Sequence, residues 1–98
     1  MTDSNLILIE QICKHYEIEP DFIVSLNSYG LIEIVELEQS RYLRMQEMTM
    51  IEKMIRMHYD LQINIEGIDA ISHLLTKIEK LQIALQSAHN RLRLYDSE

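Results

Sequence analysis

The chain is 98 residues long, 47% apolar and 26% charged, a composition that supports one packed domain and excludes a disordered acidic tail. Its net charge of −7 lies in residues 1–40, which carry eight acids against Lys14 alone, whereas residues 41–98 carry eight acids and eight bases. A field that uneven either steers cationic partners or simply keeps a small protein soluble, and it argues against the N-terminal part as a reader of a polyanion.

Residues 6–9, Leu-Ile-Leu-Ile, are apolar on both faces and predict a short strand, followed by a helix that turns Ile12, Cys13 and Tyr16 inward. Cys13 is the sole cysteine, so no intrachain disulfide can form. A lone thiol on an apolar helix face is expected in the core, which suits a reducing cytoplasm. Pro20 fits the first turn of a second helix with Phe22, Ile23, Leu26 and Tyr29 at core spacing. Gly30 stands where a left-handed C-terminal cap is wanted. Two short helices with a tight join follow. Residues 31–37 and 41–45 are then candidate strands of a hairpin joined by Glu38, Gln39 and Ser40. The alternation slips between Ile34 and Val35, predicting a bulge or an early turn.

A third helix is expected to end near Asp60, with Met48, Ile51, Met54, Ile55 and His58 on one face. Its start is ambiguous: Thr49 and Glu52 have capping-box spacing, while the apolar period reaches back to Met45. Asn64 marks the last helix more clearly, as a favoured N-cap with Glu66 in the first turn and Ile63 and Ile68 at hydrophobic-staple positions. No glycine or proline follows Gly67. The helix can therefore run to about Tyr95, roughly 45 Å.

That length exceeds what the preceding residues can cover. Heptad positions a fall on Ile71, Ile78, Leu85 and Leu92, and positions d on Leu74, Leu81, Ala88 and Tyr95, all apolar apart from the tyrosine's tip. Ile68 and Leu75 broaden the stripe near its start, as expected where the helix packs on its own head. Beyond Leu81 it narrows to a seam, as expected for a partner helix. A fold-back within one chain would need turn residues that this stretch lacks. The expected organisation is a head of residues 1–63 and a helix of residues 64–98, together one structural unit that forms a homodimer.

No constellation supports catalysis, and neither a metal nor a cofactor is expected. Cys13 has no base beside it, the four histidines (His15, His58, His73, His89) lack ligand spacing, and the two glycines make no phosphate loop. The methionines of the third helix could be an adaptable surface, but core filling is the more economical use. No apolar run approaches the ~20 residues of a membrane span, so a soluble cytoplasmic protein is expected.

The stretch from His15 to Ser40 reads like the second half of a helix-turn-helix and the start of a wing, yet it holds no Lys or Arg. It holds Glu17, Glu19, Asp21, Glu33, Glu36 and Glu38 instead, a face that a duplex would repel. These carboxylates, with Val24, Tyr29 and Val35 as apolar neighbours, are the candidate surface for a basic protein partner. Arg41, Arg44, Lys53 and Arg56 are the one basic group, interleaved with Glu47 and Glu52, and pairing at helical spacing is expected there.

The order of elements, with the segment SRYLRM in the hairpin, resembles the MerR-like winged-helix scaffold. The runs LIEQICKHYEI, LNSYGLIE and MHYDLQINIEGIDAISHLL resemble its chaperone-modulator branch, the CbpM-like proteins, more than its DNA-binding regulators. The resemblance covers about residues 6–82, and its most specific part is the spacing of Asp60, Leu61, Ile63, Asn64, Gly67 and Ile68. It implies a mainly α fold: a winged helix-turn-helix head with a small β-hairpin wing and a long C-terminal dimerisation helix. It also implies binding to the J-domain of a DnaJ-like co-chaperone, blocking that domain's access to the main ATP-driven chaperone. The resemblance transfers no individual contact residues. The alternative reading is a MerR-like DNA-binding transcriptional regulator with its basic surface on the hairpin and third helix.

Overall fold

In the computed structural model, residues 5–96 are described, so the ends of the two spans above, 1–4 and 97–98, lie outside the described residues. The N-terminal apolar run divides into strand β1 (Leu6–Leu8) and the opening of helix α1 (Ile9–Tyr16). Ile9, Ile12 and Cys13 are buried and Tyr16 packs against them from the edge. Helix α1 ends with Glu17 in the left-handed region (φ 56°) and the Ile18 N–H donating to the Cys13 carbonyl at 3.0 Å. Helix α2 (Pro20–Ser28) starts on its proline and buries Phe22, Ile23 and Leu26. It closes as expected at Gly30 (φ 75°): Gly30 N–H donates to Asn27 and Leu31 N–H to Leu26, each at 3.0 Å.

Tyr29 departs from its expected core position. Its N–H still donates to the Ser25 carbonyl at 3.2 Å, but its side chain is 43% exposed and its hydroxyl donates to Glu66 at 3.2 Å.

Strands β2 (Val35–Leu37) and β3 (Ser40–Arg44) form the expected hairpin, but the first strand is shorter than 31–37 and the second begins one residue early. Ile32 is buried and Leu31 and Ile34 pack against the core, so their apolarity serves the core rather than a ladder. Asn27 Oδ1 accepts the Ile34 N–H at 3.1 Å just before pairing begins, at the place where the alternation slips. The turn is Glu38–Gln39 alone, both at positive φ (50° and 68°), with Leu37 paired to Ser40. That is the geometry of a two-residue type I′ turn, whose twist matches the strands. β1 adds antiparallel to the other edge of β3, with Ile7 opposite Leu43, giving the sheet order β1-β3-β2.

A single 3₁₀ turn (Met45–Glu47) leads into helix α3 (Met48–Ile55), which buries Ile51, Met54 and Ile55. Thr49 caps nothing, because the chain is already helical there. The span to Asp60 is helical as expected, but its last turn, Arg56–Asp60, widens to a π turn. Gln62 then reverses the chain at φ 58°, and Ile63 N–H donates to the Met57 carbonyl at 2.9 Å. Asn64 Oδ1 accepts the Gly67 N–H at 2.8 Å, the expected N-cap of helix α4 (Ile65–Asp96).

Helix α4 runs 32 residues without interruption, about 48 Å. Ile68 plugs into the core formed by α1, α2, α3 and Leu43, and from His73 to Tyr95 every residue except Ala88 is exposed. The helix does not fold back. The radius of gyration is 18.1 Å, against about 13 Å for a compact chain of this length. The chain is therefore mainly α, with a small three-stranded sheet and a projecting C-terminal helix.

Candidate protein-interaction surfaces

All six candidate carboxylates are exposed, but they fall in two places. Glu17, Glu19 and Asp21 sit on the α1–α2 turn and the first residue pair of α2, and among the described residues none has an ion-pair partner. Glu33, Glu36 and Glu38 belong to the hairpin and its approach. There the sheet brings cations to the first two: Arg44 pairs with Glu33 at 2.8 Å, and Arg41 is the register partner of Glu36, while Glu38 stands at the tip of the turn. The unbalanced negative field is thus concentrated on the α1–α2 turn. Val24 is exposed on α2, whereas Tyr29 lies at the opposite end of that helix from Asp21, eight residues or about 12 Å away. Val35 is half-buried in β2.

Tyr59, which sequence periodicity did not single out, stands beside the acidic turn. Its hydroxyl accepts the Glu19 backbone N–H at 3.2 Å, and its ring meets Phe22 edge-on at 5.4 Å. His58 stacks on Phe22 at 4.8 Å and its Nδ1 lies 2.9 Å from the Ile63 carbonyl. A carbonyl can only accept, so Nδ1 carries the proton. No signal in the apolar pattern marks Tyr59: the period assigns His58 to the core-facing side, where it stacks on Phe22, and leaves its neighbour Tyr59 off that face.

The basic group pairs differently from expectation. Neither Glu47 nor Glu52 forms an ion pair among the described residues; Arg44 takes Glu33, while the Tyr16 hydroxyl donates to Glu52 and ties α1 to α3. That bond, before burial, pushes the Tyr16 phenol above its ordinary value, and the bond to Glu66 does the same for Tyr29. Burial chiefly raises the Cys13 thiol, disfavouring a thiolate. No group of three potential metal ligands exists among the described residues, and no helix there is long and apolar enough to cross a membrane.

The seam residues Leu74, Ile78, Leu81, Leu85, Leu92 and Tyr95 are all exposed on α4, Leu81 by 69% and Leu85 by 72%; Ile71 and Ala88 are half-covered. Met50, Met54, Met57 and Leu75 line a groove where α3 and α4 diverge. Met54 serves the core, as expected, while Met50 is exposed.

Comparison with curated proteins and with solved structures returns no match. The family described as MerR HTH family regulatory protein matches residues 7–90, from β1 through most of α4, and the chain belongs to that family.

Proposed function

We propose that this protein is a CbpM-like chaperone modulator: a dimeric, non-enzymatic interaction module of the cytoplasm that binds the J-domain of a DnaJ-like co-chaperone and blocks its chaperone contact. The observation that carries the reading is the pairing of a helix-turn-helix head with an acidic turn. Helix α2, placed where such a head reads bases, offers Asp21 and no Lys or Arg, and Glu17 and Glu19 precede it. Guanine is read most often by Arg or Lys, so this helix is suited to a cationic protein surface rather than a major groove. The basic helix of a J-domain is such a surface, and complementary charge would set encounter rate and orientation. Exposed pairs contribute only ~0.2–1 kcal/mol each, so apolar contacts must supply the rest.

Dimerisation would use α4. A helix that exposes six large seam residues to water has a strong drive to cover them, since full burial of each contributes about 1.5–3 kcal/mol.

Calorimetry of the full chain against its cognate J-domain tests the reading, with Glu17→Lys, Glu19→Lys and Asp21→Lys combined as the surface variant. Binding that the triple variant loses, with a salt dependence that flattens, is the expected result. Absence of binding by the parent chain, or a nanomolar sequence-specific complex with duplex DNA at physiological salt, would replace it with the regulator reading.

A further inference from the structure

Tyr59 is the exposed aromatic nearest the acidic turn. It is 40% exposed, and Leu61, two residues on and just past the π turn, is 66% exposed, so apolar surface faces water at the joint between head and long helix. The ring is nevertheless held firmly. Its hydroxyl takes the Glu19 N–H at 3.2 Å, its edge contacts Phe22 at 5.4 Å and 71°, and His58 meets it at 4.9 Å and 88°. His58 is itself fixed by its stack on Phe22 and its bond to Ile63. An aromatic immobilised before any partner arrives loses little entropy on binding, which is the property of an interface anchor. Widened helical turns of this kind recur at functional positions.

The charge around it selects the occupant. Glu19 is bonded to Tyr59 through its backbone, which leaves its carboxylate without an ion-pair partner among the described residues, and Glu17 and Asp21 flank it along the chain; Lys14 on α1 and Arg41 on β3, which acts on Cys13 alongside Glu19, are the nearby cations. An apolar ring beside three carboxylates without ion-pair partners fits a basic segment that carries arginine. The guanidinium can lie over the ring face while its N–H groups reach a carboxylate, a combination that lysine makes less well.

We propose that Tyr59 is the apolar anchor of the partner surface, seating an arginine-bearing basic segment that Glu17, Glu19 and Asp21 hold by charge. The proposal rests on the acidic turn being the docking site for the J-domain. Charge at the turn governs association; Tyr59 governs how long the complex lasts.

The test compares Tyr59→Ala and Tyr59→Phe with the triple reversal of Glu17, Glu19 and Asp21, in the full chain, by surface plasmon resonance against the cognate J-domain. Thermal melts and light scattering accompany each variant. Tyr59→Ala should weaken binding roughly 30-fold, mostly through faster dissociation, as loss of a hot-spot aromatic does. Tyr59→Phe keeps the ring and should stay within about threefold. Equal weakening by both variants, in step with their loss of thermal stability, would make Tyr59 a brace for the turn and overturn the proposal. So would a Tyr59→Ala variant that binds normally while the triple reversal does not. Unchanged binding by the triple reversal would instead remove the docking site on which the proposal rests. A shift of the dimer equilibrium by Tyr59→Ala, with J-domain affinity intact, would assign the patch to a second copy and also overturn it.

Discussion

Gly67→Ala tests how the long helix is joined to the head. Alanine in place of a glycine inside a helix ordinarily stabilises by about 0.5–1 kcal/mol. At this position the new Cβ would lie 2.7 Å from Ile63 Cγ2 and 3.1 Å from Asn64 Oδ1, where carbon–carbon contacts are most favourable at about 3.5–4.0 Å. Relief requires Ile63, which packs against the core, to shift, or the Asn64 cap to open. Overpacking of this kind costs about 1–3 kcal/mol and loss of an N-cap about 1 kcal/mol. The steric cost exceeds the propensity gain, leaving a net loss of about 1–3 kcal/mol, or a fall in Tm of roughly 5–15 °C for a domain of this size. Melts by circular dichroism at one fixed protomer concentration read the change, since self-association would otherwise move Tm. Ile63→Leu carries no Cγ2, so the double variant should recover part of the loss, with a coupling of about 1 kcal/mol. A Gly67→Ala variant that melts at or above the parent, or a double variant that shows no coupling, refutes the steric argument.

Replacing Leu81 and Leu85 by Asp should convert a dimer to monomers at tens of micromolar by light scattering, because two charges would enter an apolar seam; a parent chain that is already monomeric there removes the seam. Glu38→Asn with Gln39→Gly should stabilise the fold by about 1 kcal/mol, since both residues hold positive φ that Asn and Gly adopt at lower cost; an unchanged or lower Tm contradicts the turn assignment. Stability should also fall in alkali. The Tyr16 phenol is raised by its bond to Glu52, so its contribution is complete below its unfolded pKa of about 10 and is lost as pH rises through the higher folded value. Tyr16→Phe should be less stable than the parent at neutral pH and converge on it in alkali, and parallel pH curves would show that the bond does not matter.

Most of the helical framework was legible because local chemistry decided it. Pro20, Gly30 and Asn64 each stand where the backbone requires them, and the apolar spacing gave Ile12, Ile23, Leu26, Ile51 and Ile68 to the core. The sheet was legible only in part. A three-residue strand such as β1 carries no register information, and its pairing with β3 spans residues far apart in the chain. Tyr29 was misjudged because helical spacing alone does not say whether the last turn of a helix is covered, and Tyr59 was missed because the core-facing period passes through His58 beside it.

Charge reading failed at the hairpin for a different reason. Dividing the chain after residue 40 separates Glu33, Glu36 and Glu38 from Arg41 and Arg44, but a two-residue turn folds β3 back along β2 and sets those charges against each other. Counting charge along the chain assumes that sequence neighbours are spatial neighbours, which an antiparallel hairpin violates most strongly at its tip. The α1–α2 turn has no ion pair among the described residues and α2 carries no cation, although Arg41 of β3 lies close enough to act on Cys13 together with Glu19. Glu33 and Glu36 are compensated at close range, so they add little to the field beyond a screening length of about 8 Å at physiological salt. The negative surface that could orient a cationic partner is therefore smaller than the sequence implied, and it adjoins the exposed Tyr59 ring, which the Glu19 N–H and Phe22 hold in place.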